Sequence, residues 1–330
     1  MLLPRFQLLQ PKSIEQATEL LGKHEAAARI MAGGTDVLPR MKYGLESPGY
    51  VIGLSNLPVF EPVDSDGFLL LDSLMSLTDV AMSEIIRQNA FGLAEAAYAV
   101  GSYQIRNMGT LGGNLCLETR CMYYNQQHSY QFVEPCFKRN GDRCYFIPNG
   151  KQCWAVFVAD TAPVLFSLDA SVEVLSNGSP KRIPIDEFYT GNPLHPCTLS
   201  RQDLLVAVRI PKNTGLRGTA FSKFTIRGGL EFAAINLAVV LDVQEDGSTC
   251  SNARITVGAV AAKPIRLKKT ESLLIGQKLS DDLFNDAGRT AAYEIRPIPH
   301  HGFSASYLKA CLRSLARDAL ASACSRIPRH

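Results

Sequence analysis

Apolar residues recur along the first half of the chain in short runs whose period alternates between that of a helix and that of a strand. Residues 13 to 28 place Ile14, Ala17, Leu20 and Leu21 on one helical face, behind Ser13 as a cap and with Gln16 three positions later. The apolar run 28 to 31 stops abruptly at Gly33 and Gly34, so it predicts a strand closed by a glycine turn. Runs 50 to 54 and 68 to 71 predict two more strands, and 77 to 87 and 90 to 100 two helices, before a second glycine-rich turn at 109 to 114.

From 116 to 153 the periodicity vanishes, and Cys, Tyr, Gln, Asn and basic residues take over, as in an inserted loop. Apolar or alternating runs at 155 to 158, 164 to 168 and 172 to 175 then predict sheet strands. A polar stretch with Pro and Gly at 211 to 218 marks a boundary. Beyond it, 219 to 227 predicts a strand, 233 to 243 and 253 to 260 further apolar elements, and 304 to 323 a helix. This last third reads as a separate α+β unit, with no internal repeat.

Composition narrows the class. The chain has 330 residues, 46% hydrophobic and 20% charged, enough for two or three domains with cores of their own. No apolar run reaches the roughly 18 to 20 residues that cross a bilayer, and the start is too briefly apolar for a secretion signal, so no membrane span and a cytoplasmic location are expected. A net charge of +3 without basic blocks argues against nucleic acid and favours small ligands and protein partners. Nine cysteines cannot all pair within the chain, and in a reducing compartment they turn attention to metal.

Three motifs could carry chemistry. In the first turn, Ala32, Gly33, Gly34, Thr35 and Asp36, adjacent glycines allow positive φ and close backbone approach, so amides can converge on phosphate oxygens. The second, Thr110, Leu111, Gly112, Gly113 and Asn114, offers the same, with Asn114 suited to an adenine or ribose edge. Neither matches the Gly-x-Gly-x-x-Gly that opens a long helix, which disfavours a Rossmann nicotinamide site. Either turn alone is an ordinary turn; the pair suits a dinucleotide lying between two subdomains.

The third motif is Cys121, Cys136, Cys144 and Cys153, with Cys116 just upstream. Buried free cysteines commonly pack as small hydrophobes, but this segment has no core face, which favours metal. The spacing fits neither a ferredoxin pattern nor the paired Cys-x-x-Cys of a zinc ribbon, so zinc and iron both stay open. Lys138, Arg139, Arg143 and Lys151 could offset thiolate charge, guide an acidic partner, or simply be solvated. Asp160 could accept from a ribose or cap a turn, and Lys223 and Arg227 alternate on one face of a strand. No nucleophile, general base or other catalytic residue is evident.

The two turns, the segment Asp160-Thr161-Ala162-Pro163, the strand carrying Lys223 and the helix start Ser304-Ala305-Ser306-Tyr307 resemble the FAD-binding subunits of the xanthine dehydrogenase and carbon monoxide dehydrogenase family over nearly the whole chain. Asn114-Leu115-Cys116, Thr119-Arg120-Cys121 and Tyr124-Asn125-Gln126 resemble the β subunits of 4-hydroxybenzoyl-CoA reductases, whose insert carries a [4Fe-4S] cluster. The chain departs from the family at Asp72-Ser73-Leu74, where a Gly-Ala pair is frequent, and at Gly228-Gly229.

The resemblance implies an α+β fold. A two-subdomain FAD-binding domain of the molybdenum-hydroxylase flavoprotein (PCMH-like) type spans residues 1 to 215, divided at 57/58, and an α+β domain covers 216 to 330. It implies FAD held by Ala32 to Asp36 and by Thr110, Gly112, Gly113 and Asn114, with Asp160 at a ribose and Lys223 near the isoalloxazine. The ligands of the cluster become Cys121, Cys136, Cys144 and Cys153, and Cys116 a bystander. Implied partners are a large molybdopterin subunit that holds the substrate, a small [2Fe-2S] subunit, assembly as a dimer of heterotrimers, and an external donor or acceptor such as ferredoxin. Two other readings are a medium subunit of an aldehyde or N-heterocycle hydroxylase, and an FAD protein with a structural zinc docking loop.

Overall fold

The computed structural model describes residues 2–125 and 134–328. Its first layer is a parallel three-stranded sheet in spatial order β1 (Gln7–Leu9), β3 (Tyr50–Gly53), β2 (Ala28–Met31). Helix α1 (Ile14–His24) begins where expected, because the Ser13 hydroxyl accepts the Gln16 amide at 3.2 Å. Its apolar face, Ala17 and Leu21, is buried with Ile52 and Leu54 of the sheet side. After β2 comes the first glycine turn and then α2 (Val37–Lys42), a six-residue helix that the apolar pattern does not predict.

The second layer is antiparallel, in the order β4 (Val63–Ser65), β5 (Phe68–Asp72), β10 (Asp203–Pro211), β6 (Ser171–Ser176), β7 (Ser179–Pro184). Between β5 and β6 the chain forms α3 (Leu77–Met82), α4 (Glu84–Asn89), α5 (Phe91–Tyr98), α6 (Tyr103–Met108), α7 (Leu111–Leu115) and α8 (Thr161–Ser167). Helix α9 (Ile185–Phe188) and the hairpin β8 (Tyr189–Asn192), β9 (His195–Cys197) lead into β10. Two strand predictions fail here. Residues 164 to 168 lie largely in α8, whose residues are all buried, and 155 to 158 form no strand, making an isolated Arg120–Val156 bridge and a bond from the Phe157 amide to Ala261 O. A short run that is apolar on every side fits a buried helix as well as a strand.

The third sheet is a meander of β11 (Leu216–Phe224), β12 (Ile235–Val243), β13 (Cys250–Gly258) and β14 (Ile265–Arg266), followed by α10 (Lys268–Leu274), α11 (Asp281–Glu294) and α12 (Ala305–Ser325). Strand β12 reads as a continuous apolar run because both its faces are buried. Leu237, Val239 and Leu241 join the core beneath α11 and α12, while Ala238 and Val240 join the core of the second layer. The C-terminal third thus shares β12 with the central core. It completes the central core from one side.

Helices α11 and α12 approach closely at Gly288, where an added Cβ would stand 2.4 Å from the Arg313 carbonyl oxygen. In an open helix, alanine would gain about 1 kcal/mol over glycine. Here the backbones must separate, and overpacking costs about 1–3 kcal/mol. Gly288→Ala is expected to lower the urea midpoint, whereas Gly22→Ala on α1, with no neighbour within 4 Å, should hold or raise it. Equal midpoints for the two variants would contradict the close packing.

Candidate functional site

The two glycine turns meet. A Cβ on Gly33 would lie 1.5 Å from the Met108 carbonyl oxygen, so only glycine lets this turn rest on the backbone leading into the other. Gly34 takes φ +73°, the left-handed region. None of the amides of Gly33 to Asp36 has a hydrogen-bond partner among the described residues. They line a cleft of about 1160 Å³ together with Ala32, Thr110, Gly112, Gly113, Asn114, Asp160 and Lys223.

The second turn is built differently from the expected amide cradle. Leu111 N–H donates to Met75 O at 2.9 Å, Gly112 N–H to Ser73 O at 2.7 Å and Asn114 N–H to Thr110 O at 2.9 Å. Gly113 N–H donates to the Thr110 hydroxyl at 3.0 Å, capping α7. Asn114 Oδ1 accepts from the Thr161 amide and, at 2.7 Å, from its hydroxyl, which ties α7 to α8. The turn therefore shapes the cleft wall while its amides stay satisfied internally. The Asp72-Ser73-Leu74 segment supports it: Gly112 packs against Ser73, and the Asp72 carboxylate accepts from the Phe60 and Leu74 amides.

Asp160 occupies the N-cap position of α8, but its side chain makes no capping bond, and no strand directly precedes it. It is buried, and its carboxylate accepts from Lys223 Nζ at 2.7 Å through Oδ2 and from Asn236 Nδ2 at 2.7 Å through Oδ1. Lys223 and Asn236 face each other across β11 and β12, and Gly258 follows on β13. A Cβ on Gly258 would stand 2.2 Å from Asn236 Oδ1, so that glycine makes room for the amide. Lys223 also donates to Ala99 O at 2.8 Å. Burial pushes the Asp160 carboxyl up, and the Lys223 ammonium pulls it back. Arg227 falls beyond the end of β11, exposed and paired with Glu231, so it does not share a strand face with Lys223.

Arg120, which the motif reading left without a role, links the insert to the first turn through an ion pair with Asp36. Asp36 also pairs with Arg40 at 2.9 Å, and Arg40 continues to Glu46. Asn236 was missed as well, although a lone amide inside an apolar strand is a legible sign, since buried polar groups are partnered. Arg106 sits between the Tyr98 and Tyr103 rings, 4.9 Å from each centroid, and donates to the carbonyls of Val100 and Gly101. It thereby holds the loop at one edge of the cleft.

Cys121, Cys136, Cys144 and Cys153 line one small cavity with Tyr123, Phe137, Lys138, Tyr145 and Trp154. Cys116 instead lines the large cleft with Cys197. The Tyr124 amide donates to Cys121 Sγ at 3.4 Å and the Ile147 amide to Cys144 Sγ at 3.5 Å. Trp154 Nε1 is buried with no partner among the described residues. Among those residues, no three His, Cys, Asp or Glu side chains are grouped so as to hold a metal ion. Gln126 of the Tyr124-Asn125-Gln126 segment, and the insert from 126 to 133, lie outside the described residues.

A family model described as the FAD binding domain in molybdopterin dehydrogenase matches residues 4–213, and that of the CO dehydrogenase flavoprotein C-terminal domain matches 219–323. The chain belongs to the FAD-binding medium subunits of the molybdenum hydroxylase family, the group of the carbon monoxide and xanthine dehydrogenases. The aldehyde oxidoreductase FAD-binding subunit PaoB of Escherichia coli K12 is 32% identical over 283 residues, covering 80% of this chain and 85% of that protein. The carbon monoxide dehydrogenase medium chain of Hydrogenophaga pseudoflava is 24% identical over 330 residues, 99% of each. A solved structure of carbon monoxide dehydrogenase from that organism shares the fold with TM-score 0.80 at 23% identity, covering 99% of this chain and 100% of that one. Quinoline 2-oxidoreductase from Pseudomonas putida 86 does so at 0.78 and 21%, over 98% and 99%. The expected α+β architecture is thus the observed one, and no helix among the described residues is long and apolar enough to cross a membrane.

Variants at two points probe the cleft. Gly33→Ala must push the turns apart, and purified protein is expected to lose most of its FAD absorbance while staying folded by circular dichroism; full retention of flavin would contradict the contact. Asp160→Ala leaves the Lys223 ammonium buried without its counter-ion, a loss of about 3–5 kcal/mol. The double variant Asp160→Ala, Lys223→Met should recover much of that loss in denaturant unfolding, and strict additivity would count against the pair.

Proposed function

We propose that the chain is an electron-relay subunit that holds FAD in the large cleft and a [4Fe-4S] cluster on Cys121, Cys136, Cys144 and Cys153. The observation that carries this is the four cysteines lining one cavity, beside a cleft walled by both glycine turns. The open amides of Gly33 to Asp36 suit the diphosphate, with Ala32 and the wall formed by Thr110, Gly112, Gly113 and Asn114 around the rest of the nucleotide. Asp160 and Lys223 form the wall at the third sheet. When bound, flavin and cluster would supply one- and two-electron redox chemistry, and the protein sets their surroundings.

A cluster and a single zinc ion place different demands on the four sulfurs. Zinc needs four sulfurs about 2.3 Å from one point, whereas a four-iron cluster takes one thiolate on each iron, so its sulfurs stand further apart. The resemblance of the insert to one that carries a [4Fe-4S] cluster supports the second. The amides on Cys121 and Cys144 and the free indole N–H of Trp154 offer donors to cluster sulfur. Burial pushes the Cys121 thiol up to about 11, against the pull of the Tyr124 amide; a bound cation displaces that proton.

On this reading the chain joins a large molybdopterin subunit and a small [2Fe-2S] subunit, as a dimer of heterotrimers, and exchanges electrons with an external protein such as ferredoxin. The substrate then stays on the large subunit. The FAD-binding part, 1 to 215, carries the cofactors, and 216 to 330 closes the cleft. The resemblance of the insert supports a 4-hydroxybenzoyl-CoA reductase. A second reading, hydroxylation of an aldehyde or N-heterocycle, is favoured by the identity with the aldehyde oxidoreductase subunit.

Iron and acid-labile sulfide analysis with electron paramagnetic resonance of the reduced protein tests the cluster. Serine at any of the four cysteines should abolish the iron signal while FAD absorbance persists, and Cys116→Ser should keep both. Zinc in place of iron would overturn the cluster. Assays of the native complex with 4-hydroxybenzoyl-CoA plus a reduced viologen, and with aldehydes plus an oxidised acceptor, separate the two substrates.

A further inference from the structure

Lys138 follows Cys136 in the short 3-10 turn Phe137–Arg139. Among the described residues it alone lines both the cysteine cavity and the large cleft. Its side chain is only 5% exposed. The ammonium donates to Glu118 Oε2 at 2.9 Å, the Thr119 hydroxyl at 2.7 Å and the Pro193 carbonyl at 2.6 Å. An ammonium has three donors, so all are spent within the protein and none reaches sulfur or solvent. The role of guiding an acidic partner therefore does not fall to this lysine.

We infer that Lys138 is a buried fixed charge that raises the reduction potential of the group bound by the four cysteines, and the staple that holds the insert against the flavin cleft. The inference rests on the cluster reading. A one-electron reduction adds one negative charge to the cysteine site. A buried cation at its wall favours that state, and the field is little screened because water is excluded. Among the other cations of the loop, Arg143 lines the cavity but is half exposed and pairs with Asp142, Lys151 is exposed, and Arg139, which donates to the Tyr124 carbonyl, also lies within electrostatic reach of Cys136 and Cys121. Glu118, the partner of Lys138, lines the cleft and not the cysteine cavity. Of the pair, only Lys138 reaches the cysteine cavity.

The test is a potentiometric titration of the full-length, iron-loaded protein, read by electron paramagnetic resonance. Lys138→Met should lower the midpoint so that the ratio of reduced to oxidised cluster at a fixed potential falls at least tenfold, about 59 mV for one electron. Lys138→Arg should stay near the parent value, and Glu118→Gln, which removes the opposing charge, should raise it. An unchanged midpoint in Lys138→Met with its iron intact would overturn the assignment. Should that variant lose its iron, Glu118→Gln decides, since an unchanged midpoint there is equally fatal. A parent protein without iron would instead sink the cluster reading itself.

Discussion

The ion pair between Asp160 and Lys223 is the constraint on which the arrangement of the cleft turns. Two opposite charges in a water-poor interior each need the other, because removing one leaves an uncompensated ion. Asp160 stands at the start of α8 in the second layer and Lys223 on β11 of the third sheet, so the pair joins two parts of the chain that composition alone would separate. Asn236 fixes the second carboxylate oxygen, and Gly258 leaves it space. The row Lys223, Asn236, Gly258 thereby registers the third sheet against α8. Glu95 reinforces the junction, accepting from the Phe221 amide and pairing with Arg326 at the end of α12.

The opposite wall depends on close approach rather than charge. Gly33 rests on the carbonyl of Met108, and Gly112 on Ser73, which no side chain would permit. One consequence is a division of labour between turns that look alike as motifs. The first, with positive φ at Gly34 and open amides, can receive an anion; the second has its amides committed to Met75, Ser73 and Thr110 and serves as a brace.

The insert is fastened at its root by charge. Arg120 reaches Asp36 in the first turn, and Lys138 reaches Glu118, Thr119 and Pro193. A loop with little regular structure cannot hold four cysteines at one cavity through backbone hydrogen bonds alone. These anchors, with the folding back of 136 to 143 through the Phe137 and Gly141 amides, do part of what a helix or sheet would do. They also place the cysteine cavity beside the large cleft.

Much of this was legible in the residues themselves. Local signals act over a few positions and so survive without context: the Ser13 and Ser304 caps, the strand before Gly33, the two glycine turns, and the four cysteines set apart by composition. Other features were not, because they depend on what lies opposite. The run 164 to 168 is a helix since tertiary burial surrounds it on every side, and β12 is shared by two cores. The sequence determined which residues could form turns, caps and a cysteine-lined cavity. Only the tertiary structure decided which amides remain open, which charges meet, and that Lys138 stands between the cysteines and the cleft, because each follows from groups distant in the chain being packed within a few ångströms.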